Sequence, residues 1–146
     1  MLKKIIITAV LILISLQFIP IDKTNPSIDK TITLNTDAKV MQILKKSCYD
    51  CHSNETKWSI YSDIAPLSFG VISHVTDGRK ALNFSNYKNI DAEIKIARLQ
   101  RAIKTVKNNM MPLGSYLLFH EKSHLTEPEK DILITWFEKE LQMLYK

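Results

Sequence analysis

Cys48, Cys51 and His52, in the stretch CYDCH, are the residues of this chain whose types and spacing can do chemistry together. They include both of its cysteines, and one of its four histidines directly follows the second. Two thiols three residues apart can close a disulfide, supply half a zinc site, act as a redox dithiol, or hold a c-type haem through two thioethers. A structural zinc needs four ligands. His74, His120 and His124 are scattered, and no further cysteine completes a set. A redox dithiol opens a helix after a strand in a βαβ setting, and no such strand precedes Cys48. A disulfide is possible outside the cytoplasm, yet so short a loop contributes little and leaves His52 unexplained. One covalent haem c accounts for all three residues: each thiol meets a vinyl group, and the His52 imidazole reaches the iron as proximal ligand.

A second axial ligand has two candidates. Met111 stands past a helix end and before Pro112, whose ring fixes the backbone and can loop the thioether toward the porphyrin's other face. Met110 adjoins it without that constraint. His74 is the alternative distal ligand, although a single histidine in an aromatic-rich stretch also suits a hydrogen-bonded core position. Methionines also serve as core filler. Arg79, Lys80 and Trp58 are candidates for the haem propionates, though surface charge or packing explains each as well. With both axial positions filled, the function expected is one-electron transfer, a carrier and not an enzyme. With the distal position open, a haem sensor or small peroxidase-like enzyme follows, with Arg79 or His74 on the distal side. A third possibility is haem as a folding staple for a domain that docks on a larger complex.

The elements that must position these residues are helical. Val40, Ile43, Leu44 and Ser47 share one face of a helix that Thr36 or Asp37 can cap and that leads into Cys48. Asp91 caps a second helix with Ala92, Ile96, Leu99, Ile103 and Val106 on one stripe, stopped by Asn108-Asn109 and Pro112. Thr126-Glu127-Pro128-Glu129 is a capping box with proline in the first turn, ahead of Ile132, Leu133, Trp136, Phe137 and Leu141. Trp58 to Asn86, with Pro66, Gly70 and Gly78, is expected to form short helices and loops. Strand-like alternation is confined to Thr31–Leu34. The expected class is therefore all-α, with the first and last helices of the domain crossing so that Ile43 and Leu44 meet Trp136 and Phe137 over an apolar porphyrin.

Residues 1–21 form a signal or anchor segment, 22–35 a polar linker, and 36–146 the helical domain. Lys3 and Lys4 precede an uncharged, mostly apolar run from Ile5 to Ile21, about 25 Å long as a helix. Small residues of a cleavage site are missing from Gln17-Phe18-Ile19-Pro20-Ile21, and there is no lipobox cysteine. An uncleaved anchor is expected, with the domain on the periplasmic side of the cytoplasmic membrane. The alternative is a free periplasmic protein after cleavage. The net charge is +5, from 20 basic and 15 acidic residues. The lysines are spread over helical segments without a stripe, which excludes a nucleic-acid surface. Redox proteins of the membrane or periplasm are the expected partners, with the membrane itself contacted through the N-terminal segment.

The motifs from Cys51 onward resemble the haem-binding domain family of small exported bacterial proteins. That pattern runs CHSN-x-T-x-W, Y-S-x-I-A-P, H-V-x-x-G-R and L-N-F-S. It is matched here by Cys51–Trp58, Tyr61–Pro66, His74–Arg79 and Leu82–Ser85. Met111–Tyr116 (MPL-x-x-Y) and His120–Thr126 also match, and the resemblance extends from Cys48 to the final helix. The family's W-P-W-Y and S-W stand here as Trp58-Ser59-Ile60-Tyr61 and Ser68-Phe69. The resemblance implies a cytochrome-c-like, monohaem, membrane-associated protein, and it implies no particular reaction.

Overall fold

The computed structural model describes residues 1–145. Among them are seven α-helices, three 3₁₀ turns and no strand. The helices are α1 (Leu2–Leu16), α2 (Ala38–Ser47), α3 (Tyr49–His52), α4 (Leu67–Ala81), α5 (Ala92–Lys107), α6 (Gly114–Leu117) and α7 (Glu127–Leu144).

The helix starts follow from their caps. The Asp37 carboxylate accepts from the N–H groups of Lys39 and Val40, so Asp37 and not Thr36 opens α2. Asp91 accepts from the Glu93 N–H at the start of α5. Thr126 and Glu129 close both halves of the capping box of α7, which satisfies donors that the first turn cannot pair internally. The apolar stripes of α2, α5 and α7 then meet. Leu44, Leu99 and Leu133 are fully buried at the centre, with Val40, Ile43, Val106, Trp136 and Phe137 around them. α7 packs against α5 over the larger contact and against α2 over a smaller one. Truncating any of the three central leucines to alanine removes about 2–5 kcal/mol of stability. This core reaches Tyr49 of α3 and packs against Cys48, so it is the platform on which α3 is mounted.

Two segments differ from expectation. The stretch expected as short pieces contains one continuous helix, α4, which passes through both Gly70 and Gly78. Each glycine weakens a helix by about 1 kcal/mol relative to alanine, but the packing of α4 on α3 holds it together. The polar segment 22–35 has no helix or strand, yet it is tied to the domain. Leu34 is buried and its N–H donates to the Phe84 carbonyl at 2.8 Å. Asn25 Nδ2 donates to Thr56 O at 2.9 Å, and Asn54 Nδ2 to Ser27 O at 3.0 Å.

The N-terminal helix ends at Leu16, earlier than the apolar run. The Gln17 amide then pairs with Ala65 in both directions, donating to its carbonyl at 3.0 Å and accepting from its N–H at 3.1 Å. α1 buries no residue. No described helix is long and apolar enough to cross a membrane.

Candidate cofactor site

α3 is a single turn, too short to stand by propensity, and its surroundings hold it. The Cys51 and His52 N–H groups both donate to the Cys48 carbonyl, at 3.2 and 2.9 Å. Ser53 Oγ donates to Tyr49 O and Thr56 Oγ1 to Asp50 O, each at 2.7 Å, so the turn's free carbonyls are satisfied. Tyr49 is buried and stacks on Phe84 with ring centroids 5.5 Å apart. On the other side α4 comes unusually close. A Cβ placed on Gly78 would lie 2.9 Å from the Cys51 carbonyl carbon and 3.0 Å from its Cβ, and closer still to its carbonyl oxygen. Only glycine allows this approach.

His52 is oriented by that packing. Its Nδ1 lies 2.9 Å from the Leu82 carbonyl. A carbonyl can only accept, so Nδ1 carries the proton and Nε2 keeps its lone pair for a metal. Desolvation lowers the His52 pKa, against the opposing pull of the Leu82 and Gly78 carbonyls, so the ring is neutral near pH 7. A neutral ring with its second nitrogen fixed by a carbonyl is the form that ligates iron.

Cys48 and Cys51 are free, half-buried thiols. Burial first, then the neighbouring Cys51, pushes the Cys48 thiol up to about 12. Burial, then Asp50, pushes Cys51 up to about 11. Such thiols stay protonated near neutral pH. Among the described residues no three His, Cys, Asp or Glu side chains cluster to hold a metal ion.

Cys48, Cys51 and His52 open on a cavity of about 650 Å³, between α3, α4, α5 and the loop after α5. Its size is ordinary for a large planar ligand. Leu82, Phe84, Val106, Leu113 and Phe137 contribute apolar walls. Met111 and Met110 line it from the loop. That loop leaves α5 through Asn109, whose φ of 55° is the left-handed turn that ends the helix. The Thr105 carbonyl then receives the N–H groups of both Met110 and Met111, at 2.8 and 3.3 Å. Met110 remains exposed, while Met111 is half-buried against the core. His74 also lines the cavity, but as an exposed residue of α4.

Of the candidates for propionate partners, Lys80 lines the cavity and Trp58 does not. Arg79 does not line it either. Its guanidinium is used elsewhere, donating to Ser53 O at 2.9 Å, Asn25 Oδ1 at 2.7 Å and Thr56 Oγ1 at 2.8 Å. It therefore ties segment 22–35, the strap, to the residues that follow α3, and it stands outside the cavity lining. The sequence reasoning missed Arg98 and Arg101, which line the cavity from α5 with no ion pair among the described residues. Their signal was the spacing Arg98, Arg101, Ala102, Thr105, a second face of α5 beside the apolar stripe.

The cavity thus offers two neutral thiols, one fixed imidazole, apolar walls and the cations Arg98, Arg101 and Lys80, the last 3.8 Å from Asp77, a set that fits a haem with its carboxylates near the arginines. A protein-family model described as a haem-binding domain matches residues 11–139. No curated protein and no solved structure matches the chain.

Proposed function

Because the chain belongs to the haem-binding domain family, we propose that it is a monohaem c-type cytochrome domain, tethered at the outer face of the cytoplasmic membrane. In this reading it passes single electrons between redox proteins of the membrane or periplasm. The observation that supports it is the convergence of Cys48, Cys51, His52 and Met111 on one cavity from α3 and the loop after α5. A bound haem supplies one-electron chemistry at its iron, and the protein supplies position and electrostatics.

The chain's own residues divide that work. Cys48 and Cys51 carry the porphyrin through thioethers. His52, held by the Leu82 carbonyl, presents Nε2 to the iron. Met111 closes the opposite face. It is favoured over His74 because Met111 is half-buried on the loop after α5, whereas His74 is exposed on α4, the helix that backs α3 at Gly78. Arg98, Arg101 and Lys80 neutralise the propionates, which would otherwise be costly to bury. α1, apolar on all sides with Lys3 and Lys4 at its start, serves as the membrane segment together with Phe18 to Ile21.

Covalent attachment decides the reading. Protein made with the haem-attachment machinery should keep haem-linked peroxidase stain on a denaturing gel, and Cys48→Ala with Cys51→Ala should abolish it. Stain that survives the double substitution would sink the assignment.

A further inference from the structure

A second cavity, of about 290 Å³, adjoins the first. The two share a wall of Asp50, Cys51, His74, Leu113 and Tyr116. The smaller one is lined by Trp58, Tyr61, Tyr116, Phe119 and His120 on one side, and by Leu67, Gly70, Val71 and Val75 of α4 on the other. Its volume suits a single ring system at the lower end of ligand sites.

Three observations specify the ligand. First, the Trp58 indole N–H is buried with no acceptor in the protein. A buried donor left unpaired costs about 1–3 kcal/mol, which an acceptor atom on a ligand in this cavity would remove. His120 adds a second polar point. Its Nδ1 lies 3.0 Å from Tyr116 O and 3.3 Å from Tyr61 Oη, and its other nitrogen bonds no protein group. Second, the smaller cavity carries less positive charge than its neighbour, with the exposed Lys57 on its lining. Arg98, Arg101 and Lys80 all line the larger cavity and not this one. The acid here, Asp50, already accepts from Tyr116 Oη at 2.8 Å. In the proposed reading the haem's propionates lie on the other side of the wall, where Arg98, Arg101 and Lys80 gather. Third, the rim is apolar and exposed: Leu67 and Phe119 at the lining, with Ile60, Ile64 and Leu118 beside them, are 48–83% exposed. This rim is joined to the end of α1 through the two-way Gln17–Ala65 pairing and the Lys23–Asp63 ion pair.

We propose that this cavity binds the ring of a lipophilic quinone, with a ring carbonyl accepting from Trp58 Nε1 and the apolar tail leaving over the Ile60–Phe119 rim toward the membrane. The aromatic walls stack the ring, and the shared Cys51 wall brings it alongside the haem edge. That last relation rests on the proposed function; the binding site itself does not.

The test is equilibrium binding of a short-tailed ubiquinone to the full-length protein in detergent micelles, followed by calorimetry. Binding should weaken roughly three- to tenfold in Trp58→Phe, which keeps the aromatic plane but removes the donor. It should disappear in Gly70→Leu, because a Cβ at Gly70 meets nothing within 4 Å, so the added side chain is accommodated by the fold while narrowing the cavity. The same ring lacking its carbonyl oxygens should bind more weakly. No binding up to about 1 mM, binding indifferent to both substitutions, or equal binding of the ring without carbonyls would each overturn the proposal. Haem stain on the same samples separates the two readings: stained protein that binds no quinone loses only this inference, and unstained protein that binds it loses only the haem.

Discussion

His52 shows how one residue's role is set by what lies behind it. The Leu82 carbonyl fixes its tautomer, and the ligand on the far side must come from another element. In the proposed reading that ligand is Met111, whose backbone is held by two bonds to the Thr105 carbonyl from its own and its neighbour's N–H. Thioether ligation gives ferric haem a weak absorption band in the red, and it raises the potential relative to two histidines. Met111→Ala should erase that band, leave haem attached, and open the ferrous protein to carbon monoxide. His74→Ala should leave the spectrum unchanged. The reverse pattern would hand the distal position to histidine. That Cys48, Cys51 and His52 share one cavity was legible because CxxCH brings them together within five positions of sequence. Arg98 and Arg101 were not, since cations on a helix face look the same in sequence whether they meet water or a cavity. Arg79 looked like a binding cation for the same reason, and its guanidinium donates to the Ser53 carbonyl and to the Asn25 and Thr56 side-chain oxygens.

Two helix contacts decide whether α3 and α2 hold the site in place. Gly78 and Gly70 are both interior glycines of α4, and the structure separates them. At Gly78 a methyl group would collide with the Cys51 backbone, whereas at Gly70 it would meet nothing. Gly78→Ala should therefore destabilise the protein by about 1–3 kcal/mol and reduce haem attachment. Gly70→Ala should stabilise it by about 0.4–1 kcal/mol, both read from urea denaturation. Equal effects at the two positions would discredit the close packing of α3 on α4. Sequence could not distinguish them, because glycine in a helix is either a weakness or a close approach, and only the neighbour tells which. The three capped helices were legible, since their caps and stripes are local patterns. The second contact is Glu129, which caps α7 and accepts from Lys46 Nζ of α2 at 2.6 Å. The Lys46 bond and then the Thr126 N–H hold its pKa below the ordinary 4.5. A depressed carboxylate contributes stability that is present above its unfolded pKa and lost as pH falls through its folded value. Glu129→Gln should thus cost about 1 kcal/mol at pH 7, with the difference from the unaltered protein fading below pH 4.5. A difference that persists undiminished well below that pH would show that the charge contributes nothing.

At the scale of the whole molecule, the question is how far the domain stands from its proposed membrane segment. The amino-acid pattern read residues 22–35 as a polar linker. That segment instead lies against the domain, fixed by Asn25, Asn54 and Arg79. Such contacts are single polar side chains meeting distant backbone groups, and they leave no periodicity to read. With the strap tied down and Gln17 paired to Ala65, α1 emerges directly from the rim of the smaller cavity. At about 22 Å, α1 alone is shorter than a hydrocarbon core of about 30 Å. The proposed tether therefore draws in Phe18 to Ile21 and pulls the domain close to the lipid surface. The full-length protein should sediment with membranes and resist alkaline carbonate. A chain beginning at Asp22 behind a cleavable signal should be soluble, retain haem, and unfold more easily by about 1–3 kcal/mol, since it loses both hydrogen bonds between Gln17 and Ala65. Extraction of the full-length protein by carbonate, or a native N-terminus that starts after Pro20, would make it a free periplasmic protein. In that case the apolar rim of Ile60, Ile64, Leu67, Leu118 and Phe119 would face water, and the soluble protein should then self-associate or bind detergent.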